Sequence, residues 1–130
     1  MHSSIVVLGG GPGGYAAAFL AADQGMDVTI VDSDSGLGGT CLLRGCIPSK
    51  ALLHVAKVID ESRELTEHWG VYFDAPRIDI DKVRERKESV IQTLSGGLGQ
   101  LAKRRDVKVL RARGSFADSN TLALQSLIHI

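Results

Sequence analysis

Residues 4–32 read SIVVLGGGPGGYAAAFLAADQGMDVTIVD. The first five form a short, uncharged, β-branched run, which suits a buried parallel strand. A glycine cluster follows at once. YAAAFLAADQG then reads as a helix stopped by Gly25. DVTIVD, residues 27–32, is a second apolar run of strand character. Strand, glycine turn, helix and strand within about 30 residues make a βαβ unit, the seed of a parallel α/β sheet.

The glycines carry a physical requirement. Gly9, Gly11 and Gly14 stand as G-x-G-x-x-G between the first strand and the helix. The first permits a tight turn, the second lets backbone approach a pyrophosphate, and the third lets helix and strand pack closely. The start of the helix then points free N–H groups and the positive end of its dipole at phosphate. Asp32 ends the second strand, where a carboxylate can accept hydrogen bonds from ribose hydroxyls. Dinucleotide binding is therefore expected. The motif does not separate FAD from NAD, and the acid argues against NADP, whose 2′-phosphate it would repel.

Bulk properties remove several other classes. Fifteen basic and fifteen acidic residues cancel, so no electrostatic footprint points to nucleic acid or an anionic membrane surface. The apolar start lacks a preceding Lys or Arg and is broken by glycines, unlike a signal peptide. No apolar run reaches the roughly 18–20 residues of a membrane span. A cytoplasmic protein is expected. The 130 residues fit one small domain or part of a larger one.

Further along, the loop at 33–39 is polar and glycine-rich. Residues 47–64 have helical composition, with Leu52, Val55, Ala56 and Ile59 at 3–4 spacing, and WGVYFDAP breaks the pattern. Residues 78–101 place Ile80, Val83, Val90, Ile91, Leu94, Leu98 and Leu101 on one face of a long amphipathic helix whose charged face is solvated. VKVL, 107–110, is expected to be a third parallel strand. RGSFADSNTLAL reads as a hairpin turning at Asp118, Ser119 and Asn120. The final QSLIHI carries no placeable signal and reads as foreign to the pattern. Trp69 and Tyr72 are expected to pack in the core or a loop, and His54 to lie on a helix surface.

Both cysteines fall in GGTCLLRGCIPSK, residues 38–50. A metal site would want four ligands, usually with C-x2-C spacing, and only two thiols are present. A structural staple would close a very short loop, constrain little of the unfolded chain, and be opened by reducing cytosol. A redox pair has a geometric condition. In a regular helix, residues five apart have Cα atoms about 8.7 Å apart, whereas a disulfide needs about 4.4–6.8 Å. The segment must therefore be distorted between the cysteines, and Gly45 is the residue most able to allow it. Pro48 suits a first helical turn. A helix starting near Ile47 puts Cys46 at its N-terminal end, where the dipole favours thiolate, and Lys50 adds positive charge one turn on. A reversible dithiol is the best chemical reading.

Taken together, VVLGGGPGGYAAAFLAADQG, the acid-ended strand and GLGGTCLLRGCIPSKALLH closely resemble the FAD-dependent pyridine nucleotide–disulfide oxidoreductases. Within them CIPSKALL is most similar to the dihydrolipoamide dehydrogenase branch; glutathione reductases more often carry a second lysine at Ser49, and mercuric reductases differ after the second cysteine. The resemblance implies a Rossmann-like FAD-binding domain, incomplete in this chain, with a short hairpin near its end. It implies that Gly9, Gly11 and Gly14 hold the FAD pyrophosphate and Asp32 the adenosine ribose. Ser33 and the Gly38-Gly39-Thr40 turn then lie along the cofactor, and the backbone from Ala112 to Gly114 touches the adenine end. Cys46 becomes the thiol against the flavin that forms the charge-transfer complex, Cys41 the interchange thiol, and Lys50 a neighbour of the flavin N5 edge. Electrons would run from a dihydrolipoyl group to the disulfide, to FAD and to NAD+. The implied partners are a lipoyl-bearing protein of a 2-oxo acid dehydrogenase or glycine cleavage complex, and a second subunit.

Some positions depart from the family pattern. Leu43-Arg44 replaces a frequent Asn-Val, and Arg44 is expected to face solvent or the substrate channel. Ala112 stands for a frequent glycine, and Asp32 for a more frequent glutamate. The family's NAD-binding domain, closing FAD segment, and dimerisation domain with its His–Glu pair have no counterpart here. Residues 1–130 thus read as the N-terminal part of an FAD-binding domain, cut in the NTLAL hairpin. The alternatives are a glutathione- or mercury-reducing relative, and a non-catalytic FAD-binding redox module.

Overall fold

The computed structural model describes residues 3–126. Its elements run β1 (Ile5–Leu8), α1 (Pro12–Asp23), β2 (Val28–Asp32), α2 (Gly39–Leu43), α3 (Cys46–Trp69), α4 (Ile80–Arg104), β3 (Lys108–Phe116) and β4 (Leu122–Ser126). One sheet takes the strands in the order β1-β2-β3-β4. β1 and β2 are parallel, β2 and β3 are parallel, and β3 and β4 are antiparallel. The expected α/β architecture with a parallel sheet and a terminal hairpin is present.

β2 is the centre. Val28, Thr29, Ile30 and Val31 are all buried, as an uncharged β-branched run flanked by two strands should be. On one face Val28 and Ile30 meet Ala18 of α1, Leu37, and Ala102 and Val107 at the end of α4. Small residues on α1 let it lie close to the sheet. Two ion pairs pin the far end of this layer: Asp23 with Arg105 at 2.9 Å, and Asp27 with Lys108 at 3.0 Å. Arg105 also stacks over the Phe19 ring, 5.2 Å from its centroid.

The expectation of a buried first strand needs correction. Val6 and Leu8 are 42% and 45% exposed, because β1 is an edge strand and α1 covers only one of its faces. On the other face the β3–β4 hairpin curls over the sheet. A cavity of about 490 Å³ lies beneath it, lined by Val6, Thr29, Val31, Leu122 and Leu124 among others.

β3 is longer than the expected third strand. Its first residues pair with β2 (Thr29 opposite Lys108, Asp32 opposite Arg111) and the rest pair with β4. The strand can bend across the sheet because of Gly114: a Cβ there would stand 2.7 Å from Leu8 Cδ1. The hairpin turns where expected, with the Asn120 N–H donating to Asp118 Oδ1 at 2.8 Å. Gln125 and Ser126 of the terminal QSLIHI belong to β4, and residues 127–130 lie outside the described residues.

α3 and α4 also run past their expected ends. α3 continues to Trp69 and stops at Gly70, whose φ is +70°; the Val71 N–H then closes on the Leu65 carbonyl at 3.2 Å. Asp79 caps α4, its carboxylate accepting from the Asp81 and Lys82 N–H groups at 3.2 Å each. The two helices pair along Leu52, Val55, Val83 and Val90, around a gap of about 220 Å³. Much of the apolar stripe stays open: Leu52 and Val55 are 42% and 43% exposed. Trp69 and Tyr72, expected in packed positions, are 78% and 81% exposed. Trp69 ends α3 and Tyr72 follows in the α3–α4 connection. His54 is exposed on α3, as expected.

Candidate functional site

Five segments converge at the C-terminal ends of β1 and β2: the glycine turn after β1, the loop after β2, α2, the start of α3, and the middle of β3. Gly9 turns the chain out of β1 with φ +104°, its N–H donating to the Val31 carbonyl at 2.8 Å. Gly14 brings α1 against that turn: a Cβ would stand 1.8 Å from the Gly9 carbonyl oxygen. No residue larger than glycine fits there without displacing backbone.

The N-terminus of α1 is bare. Its cap residue, Gly11, offers no side chain, and no acid lies in the first turn. Pro12 has no N–H, and the first intrahelical bond is Tyr15 N–H to the Gly11 carbonyl at 2.9 Å. The N–H groups of Gly13 and Gly14 therefore precede the helical ladder and are available to an anion.

Asp32 faces this turn. Its Oδ2 accepts the Gly10 N–H at 2.5 Å and its Oδ1 accepts the Asp34 N–H at 2.7 Å. Each oxygen keeps a lone pair for a further donor. Beside it, a cleft of about 290 Å³ is lined by Leu8, Gly9, Asp32, Ser33, Ala112 and Gly114, with Val31 and Arg113. The cleft brings Ala112 and Gly114 to the same place as Gly9 and Asp32. Ala112 itself is buried, so only its backbone can serve a ligand.

The loop after β2 returns to the glycine turn through Gly38, whose N–H donates to the Gly10 carbonyl at 2.8 Å. Gly38 and Gly39 have φ +136° and +57°. A Cβ on Gly39 would stand 2.7 Å from Gly11 Cα, so α2 begins in backbone contact with the glycine turn. Thr40 is exposed there and Cys41 follows.

α2 ends at Leu43 and α3 begins at Cys46, so the break between the cysteines falls on Arg44 and Gly45. A Cβ on Gly45 would stand 3.1 Å from the Thr40 carbonyl oxygen, which already accepts the Arg44 N–H at 3.0 Å. Cys46 opens the 24-residue α3, one position earlier than expected, and Pro48 lies buried in its first turn. Both thiols are free. The Cys46 neighbour, with partial burial, pushes the Cys41 thiol above its ordinary value, and the Lys50 charge opposes this. Among the described residues no cluster of three or more His, Cys, Asp or Glu could hold a metal ion, and no helix is long and apolar enough to cross a membrane.

Three contributors escaped the sequence reading. Gly10 occupies a variable place in the motif, yet it is buried and its N–H holds Asp32; a Cβ there would meet Leu37 Cδ2 at 2.7 Å. Arg44 is exposed, as expected, but its guanidinium also grips Asp34 through two bonds of 2.8 Å. That pair holds the Asp34 carboxyl below its ordinary value. The opposite charges ten residues apart were the available signal, but in an irregular loop no periodicity says they meet.

A parallel sheet with a glycine turn, an acid closing its second strand, and two free thiols at a helix entry beside that turn define a Rossmann-like α/β fold. The chain belongs to the pyridine nucleotide-disulphide oxidoreductase family, which it matches over residues 3–128. It is 56% identical over 122 residues to a dihydrolipoyl dehydrogenase of Vibrio cholerae, covering 94% of this chain and 26% of that protein. A dihydrolipoyl dehydrogenase of Haemophilus influenzae is 53% identical, with 94% and 25% covered. One of Staphylococcus aureus is 42% identical, with 94% and 26% covered. The chain thus spans about a quarter of the length of these relatives.

Proposed function

We propose that this chain is the FAD- and disulfide-bearing part of an oxidoreductase that oxidises dihydrolipoyl groups with NAD+. The observation that carries the reading is the backbone contact between Gly39 and Gly11, which sets the dithiol-bearing helices directly against the glycine cradle. A pyrophosphate fits the bare N-terminus of α1, a ribose fits the free lone pairs of Asp32, and the adenine end of FAD fits the cleft beside Ser33, Ala112 and Gly114. Gly38, Gly39 and Thr40 line the path from that cradle toward Cys41, Cys46 and Lys50. When bound, FAD supplies a two-electron acceptor between the dithiol and NAD+.

The residues of the chain perform the exchange half of the chemistry. In the oxidised chain, a dihydrolipoyl thiolate attacks the Cys41 sulfur of the Cys41–Cys46 disulfide and Cys46 leaves as thiolate. The second lipoyl thiolate then displaces Cys41, releasing the lipoyl disulfide and leaving both cysteines reduced. The N-terminus of α3 and Lys50 provide positive potential for the thiolate formed at Cys46. The NAD-binding and dimerisation domains would lie in sequence beyond this chain. The full protein would be a cytoplasmic homodimer serving a lipoyl-bearing protein of a 2-oxo acid dehydrogenase or glycine cleavage complex.

The test is the visible spectrum of the purified chain with added FAD, before and after dithiothreitol. Retained flavin with new long-wavelength absorbance on reduction supports the reading, and Cys46→Ser should abolish that band. A band that survives the substitution refutes the role of Cys46. Repeating the titration with sequence extended beyond Ile130 separates a chain too short to hold FAD from a wrong reading.

A further inference from the structure

We propose that Asp34 and Arg44 form a tether that positions the cysteine pair, a role that rests on the redox reading of Cys41 and Cys46. The contact is a two-pronged match, Arg44 Nη1 to Asp34 Oδ1 and Nη2 to Asp34 Oδ2, each 2.8 Å. Such forks fix orientation as well as distance. Its location matters more than its strength. Arg44 is the residue at which α2 ends, with φ −137° and ψ −10°, and Gly45 follows with φ −123° and ψ −102°. This is the one irregular stretch between the two thiols, so whatever holds Arg44 sets how the cysteines approach each other.

Asp34 is in turn anchored. Its N–H donates to Asp32 Oδ1, Asp32 Oδ2 accepts the Gly10 N–H, and the Gly10 carbonyl accepts the Gly38 N–H at the head of α2. The Arg44 N–H returns to Thr40 within α2. The contacts close a ring: glycine turn, Asp32, Asp34, Arg44, α2 and back. α2 is held at both ends, by Gly38 and by Arg44, with Cys41 between them. Releasing Arg44 leaves one end free and adds arrangements in which the thiols stand apart. Forming the disulfide must then reorder that segment, which lowers the effective concentration of one thiol at the other.

The readout is the equilibrium between the dithiol and oxidised glutathione. Two cysteine thiols and one oxidised glutathione give the Cys41–Cys46 disulfide and two reduced glutathione molecules. One thiolate opens glutathione to a mixed disulfide and the other displaces it; the two protons end on glutathione thiols. Asp34 is 22% and Arg44 57% exposed, so the pair has the modest strength of a partly solvated contact. Asp34→Asn and Arg44→Gln are each expected to lower the equilibrium constant about twofold to fivefold. The double variant should lose no more than either single one, and the charge exchange Asp34→Arg with Arg44→Asp should recover part of the loss. In the unsubstituted chain, about 1 M sodium chloride should reproduce the decrease by screening, without requiring any variant to fold, while the variants should respond little. A contact that only stabilised the fold would lower the melting temperature and leave the constant unchanged. Constants that match across variants, or an unsubstituted chain insensitive to salt, overturn the tether and leave the redox pair standing. Failure of the unsubstituted chain to form the Cys41–Cys46 disulfide in oxidised glutathione overturns both readings.

Discussion

Gly14→Ala is the sharpest test of the glycine cradle. The added carbon would stand 1.8 Å from the Gly9 carbonyl oxygen and 3.0 Å from its carbon. Side-chain carbons essentially never come closer than 3.0 Å to such neighbours, so α1 or the turn must retreat by roughly 1 Å, and both are backbone in a close-packed layer. Forced overpacking of this kind costs about 1–3 kcal/mol. For a chain of this size that lowers the melting temperature by about 5–10 °C. The same retreat withdraws the Gly13 and Gly14 N–H groups from an anion held at the helix start. Losing the worth of one hydrogen bond to a charged group, about 1.5–3 kcal/mol, raises the dissociation constant for FAD about tenfold to a hundredfold. Thermal unfolding followed by circular dichroism reads the first effect, and quenching of flavin fluorescence on titration reads the second. An unchanged melting temperature would refute the packing argument. A lowered melting temperature with unchanged FAD affinity would leave Gly14 a packing residue and remove the pyrophosphate from this turn.

Other expectations are equally direct. Gly97 lies inside α4 with nothing within 4 Å of an added Cβ, so Gly97→Ala should stabilise the chain by about 1 kcal/mol in chemical denaturation. The neighbouring Cys46 is the main reason the Cys41 thiol is raised above its ordinary value. Cys46→Ala should lower the midpoint pH of Cys41 alkylation by iodoacetamide, and Lys50→Ala should raise it; an unmoved midpoint in Cys46→Ala contradicts the influence of Cys46 on Cys41. The lowered pKa of Asp34 makes the stabilising effect of its Arg44 contact complete above pH 3.8 and lost as pH falls further. Asp34→Asn should therefore cost about 1 kcal/mol or less at pH 7, and its melting temperature should converge on that of the unsubstituted chain below about pH 3.8. A gap that stays constant with pH contradicts this assignment.

What could be read from sequence divides by the range of the forces involved. The βαβ unit was legible because each part is fixed locally: β-branched residues favour extended backbone, Gly9 permits a φ no other residue adopts easily, and Gly25 ends α1. The distortion between the cysteines was legible too, since 8.7 Å in a regular helix cannot accommodate a disulfide (about 4.4–6.8 Å), and α2 does break at Arg44 and Gly45. Burial was harder, because it depends on what faces a residue. Ile30 and Val6 are both apolar strand residues; Ile30 meets α1 and α4, while Val6 points to the other face of an edge strand and stays 42% exposed. Leu52 and Ile91 likewise share helical periodicity, yet only Ile91 is buried.

The same reasoning separates the two roles of glycine. Gly14 and Gly39 are constrained by backbone of other segments, Gly9 and Gly11, and Gly114 by the side chains of Leu8 and Val31. Motif spacing exposes the first kind, because a ligand-binding turn has a repeated backbone path. It cannot expose Gly114, or Gly10 against Leu37, where the partner comes from elsewhere in the chain. Arg44 belongs with these. Its role depends on Asp34 being held by Asp32, and Asp32 by Gly10, so a substitution at Arg44 should be felt at the thiols and little at the sheet. Thiol exchange in Arg44→Gln, compared with its melting temperature, measures that separation.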